Sequence, residues 1–235
     1  MIKMNEILAQ KAAINADMHV LDAGCGIGGS SIWLSKNLGC KVTGITISPD
    51  QVEKAKKLAV ENGVSEKVTF EMQDYCSTHF PDASFEIVWA LESVCYAEDK
   101  ALFVKEAYRL LKPAGKLVLA DGMVNKVEDN SLPIIRKWLD GWVVNYLESP
   151  TNWEKYTKEA NFSSFQFDNI TPYTKHSSKR LFFFSLLAYI WAIWKKYIMR
   201  KPWGELQIQN IKGAFYQYLG MRKGLWKYGL FVATK

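Results

Sequence analysis

Asp22-Ala23-Gly24-Cys25-Gly26-Ile27-Gly28 is the stretch whose residue types and spacing bear most directly on chemistry. Glycines at alternate positions, Gly24, Gly26 and Gly28, let a chain turn tightly and remove the Cβ atoms that would hold a ligand off the backbone. An apolar run, Val20-Leu21, precedes them, and a segment with helical spacing (Ile32, Trp33, Leu34, Leu38) follows Ser30-Ser31. Strand, glycine turn and helix together bring a nucleotide-like ligand against bare backbone. The spacing is D-x-G-x-G-x-G, not the G-x-G-x-x-G of a dinucleotide site. With an acid, Asp22, at the strand end, the turn suits a ligand with positive groups rather than a pyrophosphate. Four other residues have side chains suited to acid or base work: Glu92, Tyr96, Tyr75 and His176. His176 has no partner visible in the sequence and reads as a surface or loop residue. The four cysteines show no C-x-x-C pairing and no histidines at metal spacing, so free thiols and no metal site are expected.

Five alternations of strand and helix must position these groups. Strands are predicted over His19–Ala23, Lys41–Ile47, Lys67–Gln73, Phe85–Ala90 and Lys116–Ala120. Helices are predicted over residues 1–17, from Ser30 to Leu38, over Pro49–Asn62, and over Lys100–Leu111 with a stop at Lys112-Pro113-Ala114-Gly115. Ser48 can cap the third of these helices and Pro49 fits its first turn. Alternation with short loops predicts a parallel sheet with helices on both faces, and ligands of such sheets bind at the carboxyl ends of the strands. Asp22, Thr46, Asp74, Leu91-Glu92 and Asp121 all fall at those ends.

The motifs together resemble the class I S-adenosyl-L-methionine (SAM)-dependent methyltransferases, from about Met18 to Val124 and more weakly at the last strand. The resemblance implies an α/β fold: a Rossmann-like seven-stranded sheet, mostly parallel with the last strand antiparallel, helices on both faces and a helical lid. It implies SAM as cofactor and S-adenosyl-L-homocysteine as product. Gly44-Ile45-Thr46-Ile47-Ser48-Pro49-x-Gln51 looks like the branch holding sterol and tocopherol methyltransferases and cyclopropane fatty acid synthases. That likeness places Thr46, Ile47 and Gln51 against the ribose and methionine parts of the cofactor. Gln73-Asp74-Tyr75 resembles the adenine motif, and Asp22, Gly24, Gly26, Gly28, Ala90 and Leu91 complete the implied cofactor set. Glu92 matches an x-x-E-[SA] pattern facing the acceptor side in the sterol and tocopherol enzymes. It reads as an acid or base, a carboxylate that steadies a cation, or a group that pairs with a lysine. Cys95 stands where cyclopropane synthases carry an acid, which counts against that chemistry. Glu92, Tyr96 and His176 are the catalytic candidates.

The second half is less regular. A lid helix is expected over Leu132–Tyr146, a helix over Asn152–Ala160, a sixth strand over Phe162–Ile170, a helix over Leu206–Leu219 and a final strand over Leu225–Thr234. The apolar run Leu181–Ile198, flanked by Lys179-Arg180 and Arg200-Lys201, is cut off by Lys195-Lys196 and falls short of the ~20 residues a membrane span needs. A lid over an apolar acceptor, a membrane-surface contact and a subunit contact all remain readings of it. Trp138, Trp142, Trp153, Trp191, Trp194 and Trp203 suggest an aromatic pocket, with core packing as the alternative. At 235 residues the chain is read as one domain, with lid and acceptor segments at about 125–160 and 172–205. Composition, 49% hydrophobic and 23% charged, excludes a disordered chain. The net charge of +6 admits anionic partners, but no N-P-P-Y or D-P-P-Y motif or RNA-binding appendage supports a nucleic-acid acceptor. The expectation is a cytoplasmic enzyme, in contact with a membrane surface under one reading, that methylates a small or medium apolar or amphipathic acceptor. An isoprenoid, a sterol-like lipid or an aromatic secondary metabolite is favoured. The rival readings are a nucleic-acid methyltransferase and a non-catalytic SAM-fold protein used for assembly or docking. Oligomerisation stays open.

Overall fold

The computed structural model describes residues 2–200 and 203–235. Lys201, counted above in a basic flank, and Pro202, within the second lid segment, lie outside the described residues. In chain order the elements are α1 (Ile2–Ala12), β1 (His19–Ala23), α2 (Gly29–Leu38), β2 (Lys41–Thr46), α3 (Pro49–Glu61), β3 (Val68–Met72), β4 (Phe85–Leu91), α4 (Lys100–Leu110) and β5 (Leu111–Val124). They continue with α5 (Pro133–Trp142), α6 (Pro150–Glu159), β6 (Ser164–Asn169), α7 (Thr171–Tyr197), α8 (Glu205–Arg222) and β7 (Trp226–Thr234). Short 3₁₀ turns occupy Val94–Tyr96 and Val127–Ser131.

The seven strands form one sheet in the order β3-β2-β1-β4-β5-β7-β6. β1 pairs in parallel with β2 and β4, β2 with β3, and β4 with β5. The order reverses between β1 and β4, the switch point at which such sheets bind ligands. Bonds from Ser163 N to Thr234 O and from Ile170 N to Tyr228 O run in opposite chain directions, so β7 is antiparallel to β6. The central strands are apolar because both of their faces are covered: Leu21, Val42, Ile45, Ile87, Trp89 and Leu119 are all buried.

Two compact units divide the chain. The first holds Met1–Asp121, Thr151–Asp168 and Leu230–Lys235; the second holds Gly122–Pro150 and Asn169–Gly229. Within the first, local sequence fixes each helix start and stop. Asp99 caps α4 by accepting from the amides of Ala101 (2.9 Å) and Leu102 (3.0 Å). Gly39 ends α2 at φ 75°, a conformation open to glycine. In the second unit α8 packs against both α5 and α7. Gly141 of α5 and Gly213 of α8 meet backbone to backbone, and Trp138 lies 4.5 Å from Trp226 between ring centroids.

The structure differs from several expected boundaries. α1 stops at Ala12, short of residue 17, because Ala13 takes a left-handed φ of 57°. Ile47 lies beyond β2 and is 74% exposed. The Lys112-Pro113-Ala114-Gly115 stop is a bulge inside a longer β5: Phe85 faces Leu111 and Ile87 already faces Lys116, with Ala114 at φ 62°. The apolar run at 181–198 is not its own element but the latter part of α7, which starts at Thr171 with Pro172 in its first turn. The tryptophans serve separate packings. Trp153 packs on Phe231 in the first unit, Trp138 pairs with Trp226 in the second, and Trp191 stacks on Trp194 along the exposed side of α7.

Candidate active site

The glycine turn leaves β1 at Gly24, whose amide and that of Cys25 both donate to Ile45 O, at 3.0 and 2.9 Å. Gly24 has φ 84°, and a Cβ there would come within 2.5 Å of Ser93 Cβ and 3.5 Å of Tyr75 Cε1. The turn after β1 therefore lies directly against the segments after β3 and β4. Gly28, at φ 83°, is closed by Phe70, whose Cζ would lie 2.5 Å from an added Cβ. Gly26 differs. Its φ is 55°, and an added Cβ would meet no atom within 4 Å. Two glycines thus lock the turn into the sheet, and the third offers bare backbone to open space, the cradle a nucleoside needs. Asp22 is 2% exposed and accepts from Ser31 Oγ at 2.6 Å, which ties β1 to the start of α2. Burial raises its carboxyl from 3.8 to about 6, against the opposing Ser31 bonds.

The rest of the first unit's rim closes around this turn. Ser93 Oγ donates to Ala23 O (2.7 Å) and Tyr75 OH donates to Ser93 O (3.2 Å). Tyr75 stands edge-on to Phe103 at 5.5 Å. Thr46 Oγ1 donates to Gln51 Oε1 at 2.6 Å, so these two candidates form one polar pair at the end of β2. Asp74 is exposed; one of its oxygens accepts from Cys76 N at 2.8 Å. Glu92 is exposed and sits at φ 52°, a left-handed strain that a side chain tolerates only where its surroundings enforce it. Its amide donates to Ala120 O at 2.9 Å. Asp121, buried at the end of the first unit's part of β5, accepts from Cys95 N at 2.9 Å.

The titratable groups here are mostly acidic, with one buried cation, Lys100, donating to Cys95 O (3.4 Å) and Ala97 O (2.9 Å). Burial first, then Cys95, Asp121 and Glu92, push the Tyr96 phenol up to about 12. Burial and Asp121 raise the Cys95 thiol, and burial followed by Cys76, Cys95, Asp74 and Asp121 raises Tyr75. Burial is the leading cause of each shift, and the carboxylates Asp74, Glu92 and Asp121 add to it, a setting compatible with a ligand carrying a sulfonium and an ammonium group.

Most of the candidates fall together in the first unit. Asp22, Gly24, Gly26, Thr46, Gln51, Asp74, Tyr75, Leu91, Glu92 and Tyr96 lie at carboxyl ends of strands in the first unit. The Gln73 amide is taken up within its own loop, by Glu71 Oε2 (2.8 Å) and His79 N (3.1 Å). The Ala90 side chain is wholly buried. His176 belongs to the second unit, exposed on α7. Ser93 was not singled out as a functional residue, although it fills the [SA] position of the x-x-E-[SA] pattern; its contact with Gly24 spans 69 positions that no local pattern records.

A doubly wound sheet with a glycine turn and several carboxylates at its switch point has the form of a nucleoside-binding domain. Residues 21–119 match the family model of a methyltransferase domain, and the chain is similar to SAM-dependent methyltransferases that act on small molecules. It is 44% identical over 130 residues to a 2-methyl-6-phytyl-1,4-hydroquinone methyltransferase of Synechocystis sp., covering 52% of this chain and 39% of that one. It is 30% identical over 236 residues to a chloroplastic tocopherol O-methyltransferase of Arabidopsis thaliana, covering 92% of this chain and 62% of the relative. The chain thus spans about two-fifths to three-fifths of the length of these curated relatives. Among solved structures, a geranyl diphosphate C-methyltransferase from Streptomyces coelicolor A3(2) shares the fold. Its TM-score is 0.79 at 22% identity, over 99% of this chain and 78% of that one.

Proposed function

We propose that the protein transfers a methyl group from SAM to a small, apolar or amphipathic acceptor of the isoprenoid or prenylated-aromatic kind. The observation that carries this reading is the bare, left-handed Gly26 turn set in a rim whose nearby carboxylates are Asp74, Glu92 and Asp121. The relatives support the acceptor class, since the two named above act on a phytyl hydroquinone and on a tocopherol. When bound, SAM supplies an activated methyl on a good leaving group, so the cofactor carries the hard chemistry.

The chain's own residues then have limited tasks. Gly26 lets the cofactor approach the backbone, and Gly24 fits the turn against Ser93. Thr46 and Gln51 present a hydroxyl and an amide to its ribose and methionine parts. Asp74 accepts from the adenine amine, with Tyr75 beside the ring. Glu92 takes a proton from the acceptor, or steadies positive charge on it, at its carboxylate. Positioning in line and exclusion of water supply the remaining acceleration. Incubating the protein with methyl-labelled SAM and a panel of prenylated hydroquinones, chromanols and sterols tests the proposal. Label in a prenylated-aromatic or isoprenoid product is the expected result. Formation of S-adenosyl-L-homocysteine with none of the panel, but with a polar amine or an RNA, would overturn the acceptor class.

A further inference from the structure

Most of the second unit's exposed large apolar residues, among those described, lie on α7, and they are arranged the wrong way round for a water-facing helix. The side chains that α7 buries are small: Ser178, Ser185 and Ala192, spaced seven residues apart on one stripe. Phe182 joins them, 5.1 Å from Phe215 and 4.8 Å from Tyr218 of α8 between ring centroids. The large apolar groups point outward instead. Phe184 is 60% exposed, Leu187 63%, Ile190 64%, Trp191 49%, Trp194 43% and Tyr197 69%. A soluble helix places its apolar stripe inward, so this outward stripe has another partner.

Charge identifies that partner. Residues 171–200 contain six basic residues, Lys175, Lys179, Arg180, Lys195, Lys196 and Arg200, and no acid. The chain's whole excess of +6 is therefore matched by this one segment. The cations flank the apolar stretch at both ends, and Lys179 and Lys196 lie over the rings of Phe183 and Tyr197 at 5.9 and 5.2 Å. A groove of about 330 Å³ on the same helix is lined by His176, Lys179, Arg180, Phe183, Phe184 and Leu187, with basic groups at one end and apolar ones at the other.

We infer that α7 is an interfacial helix that lies along an anionic lipid surface, its aromatic and aliphatic side chains in the acyl boundary and its lysines and arginines among the headgroup phosphates. The apolar stretch from Leu181 to Trp194 is 14 residues, about 21 Å of helix. That is shorter than the ~30 Å hydrocarbon core, and among the described residues no helix is long and apolar enough to cross a membrane. A helix with aromatic and aliphatic residues on one side and flanking cations lies in the interface plane. A second copy of the chain fits less well. A two-fold contact sets the same patch against itself, which would bring two all-basic segments together with no acid to offset them.

The test uses the full chain with sedimenting vesicles of phosphatidylcholine alone and of phosphatidylcholine mixed with phosphatidylglycerol. Binding is expected on the anionic vesicles only, weakening as salt rises, with Trp191 and Trp194 quenched by brominated acyl chains. Each cation near an anionic surface is worth about fivefold in affinity. Lys179→Gln with Arg180→Gln should therefore weaken binding on the order of 25-fold. Leu187→Ser with Ile190→Ser should abolish the quenching. Equal binding to both vesicle types, no binding to either, or self-association in lipid-free buffer that the Leu187→Ser, Ile190→Ser variant abolishes would each overturn the inference. Melting curves confirm that the variants fold. The inference does not rest on the methyl-transfer reading, and SAM binding in the same samples separates failure of one from failure of the other.

Discussion

A methyl group added at Gly24 and one added at Gly26 should have separable effects. Alanine at Gly24 combines a φ of 84° with overlap on Ser93 at 2.5 Å, so the Gly24→Ala protein should lose roughly 2–4 kcal/mol of stability in urea unfolding, along with SAM binding. Gly26→Ala meets no neighbour, costs only the left-handed penalty of roughly 1–2 kcal/mol, and should still lose SAM affinity because the new methyl occupies the cradle. Unchanged calorimetric binding in a folded Gly26→Ala protein would remove the cradle from the argument. Asp22 makes a pH prediction. Its folded carboxyl, at about 6, lies above the ordinary 3.8, so the native state holds the proton more tightly than the unfolded chain. Ionisation therefore costs stability: nothing well below pH 4, increasingly between pH 4 and 6, and in full above that, with a ceiling of about 3 kcal/mol. Asp22→Asn escapes that cost, so its stability relative to wild type should rise across this window in urea titrations at stepped pH. Glu92 carries the catalytic prediction. Glu92→Gln should lower kcat by about 10²–10⁴ if the carboxylate moves a proton, with SAM binding retained. An unchanged kcat with a proton-bearing acceptor would leave Glu92 a purely structural role.

Packing between elements explains what the sequence exposed and what it hid. β1 to β4 were legible because each is an apolar run closed by a residue with a local reason to stop it, such as Gly24 or the capped Ser48-Pro49 pair. The rim could be read for the same reason, since a parallel sheet sends every such stop to one edge. The bulge in β5 was hidden because Pro113 and Gly115 carry the same signal in a bulge as in a turn. The first three turns of α7 were hidden because they are polar, and its apolar part carries apolar side chains on its exposed as well as its packed side. Least legible was the crossing of α5 and α8. Gly141 looks like an ordinary helix glycine, which alanine would normally improve by about 1 kcal/mol. Here an added Cβ would lie 2.4 Å from Gly213 Cα and 2.8 Å from Gln209 O, backbone atoms that cannot rotate away. Gly141→Ala and Gly213→Ala should therefore both destabilise, by roughly 1–3 kcal/mol, and speed amide exchange in α5 and α8. A rise in melting temperature for either would mean the two helices do not cross this closely.

Over the whole molecule, charge is divided unevenly, and this decides between acceptors. The first unit, which carries the glycine turn and the rim, has 16 lysines and arginines against 19 acids; the second has 14 against 5. A net charge of +6 looked hospitable to nucleic acid, but the excess does not reside with the site. The first unit's excess of acids disfavours a phosphate backbone there, whereas a neutral prenylated ring meets no such barrier. RNA should accordingly be retained only through the basic segment of α7. Retention should fall steeply with salt, with a logarithmic slope no greater than about 5 for six neutralised phosphates, and should nearly vanish when Lys179, Arg180, Lys195 and Lys196 are changed to glutamine. Methyl label should not pass from SAM to that RNA even at low salt, where it is bound. Both quantities can be read from one filter, as retained RNA and as label within it. Label appearing in RNA, and persisting in the glutamine variant, would mean that the acidic rim admits a polyanion and that the acceptor belongs to a different class.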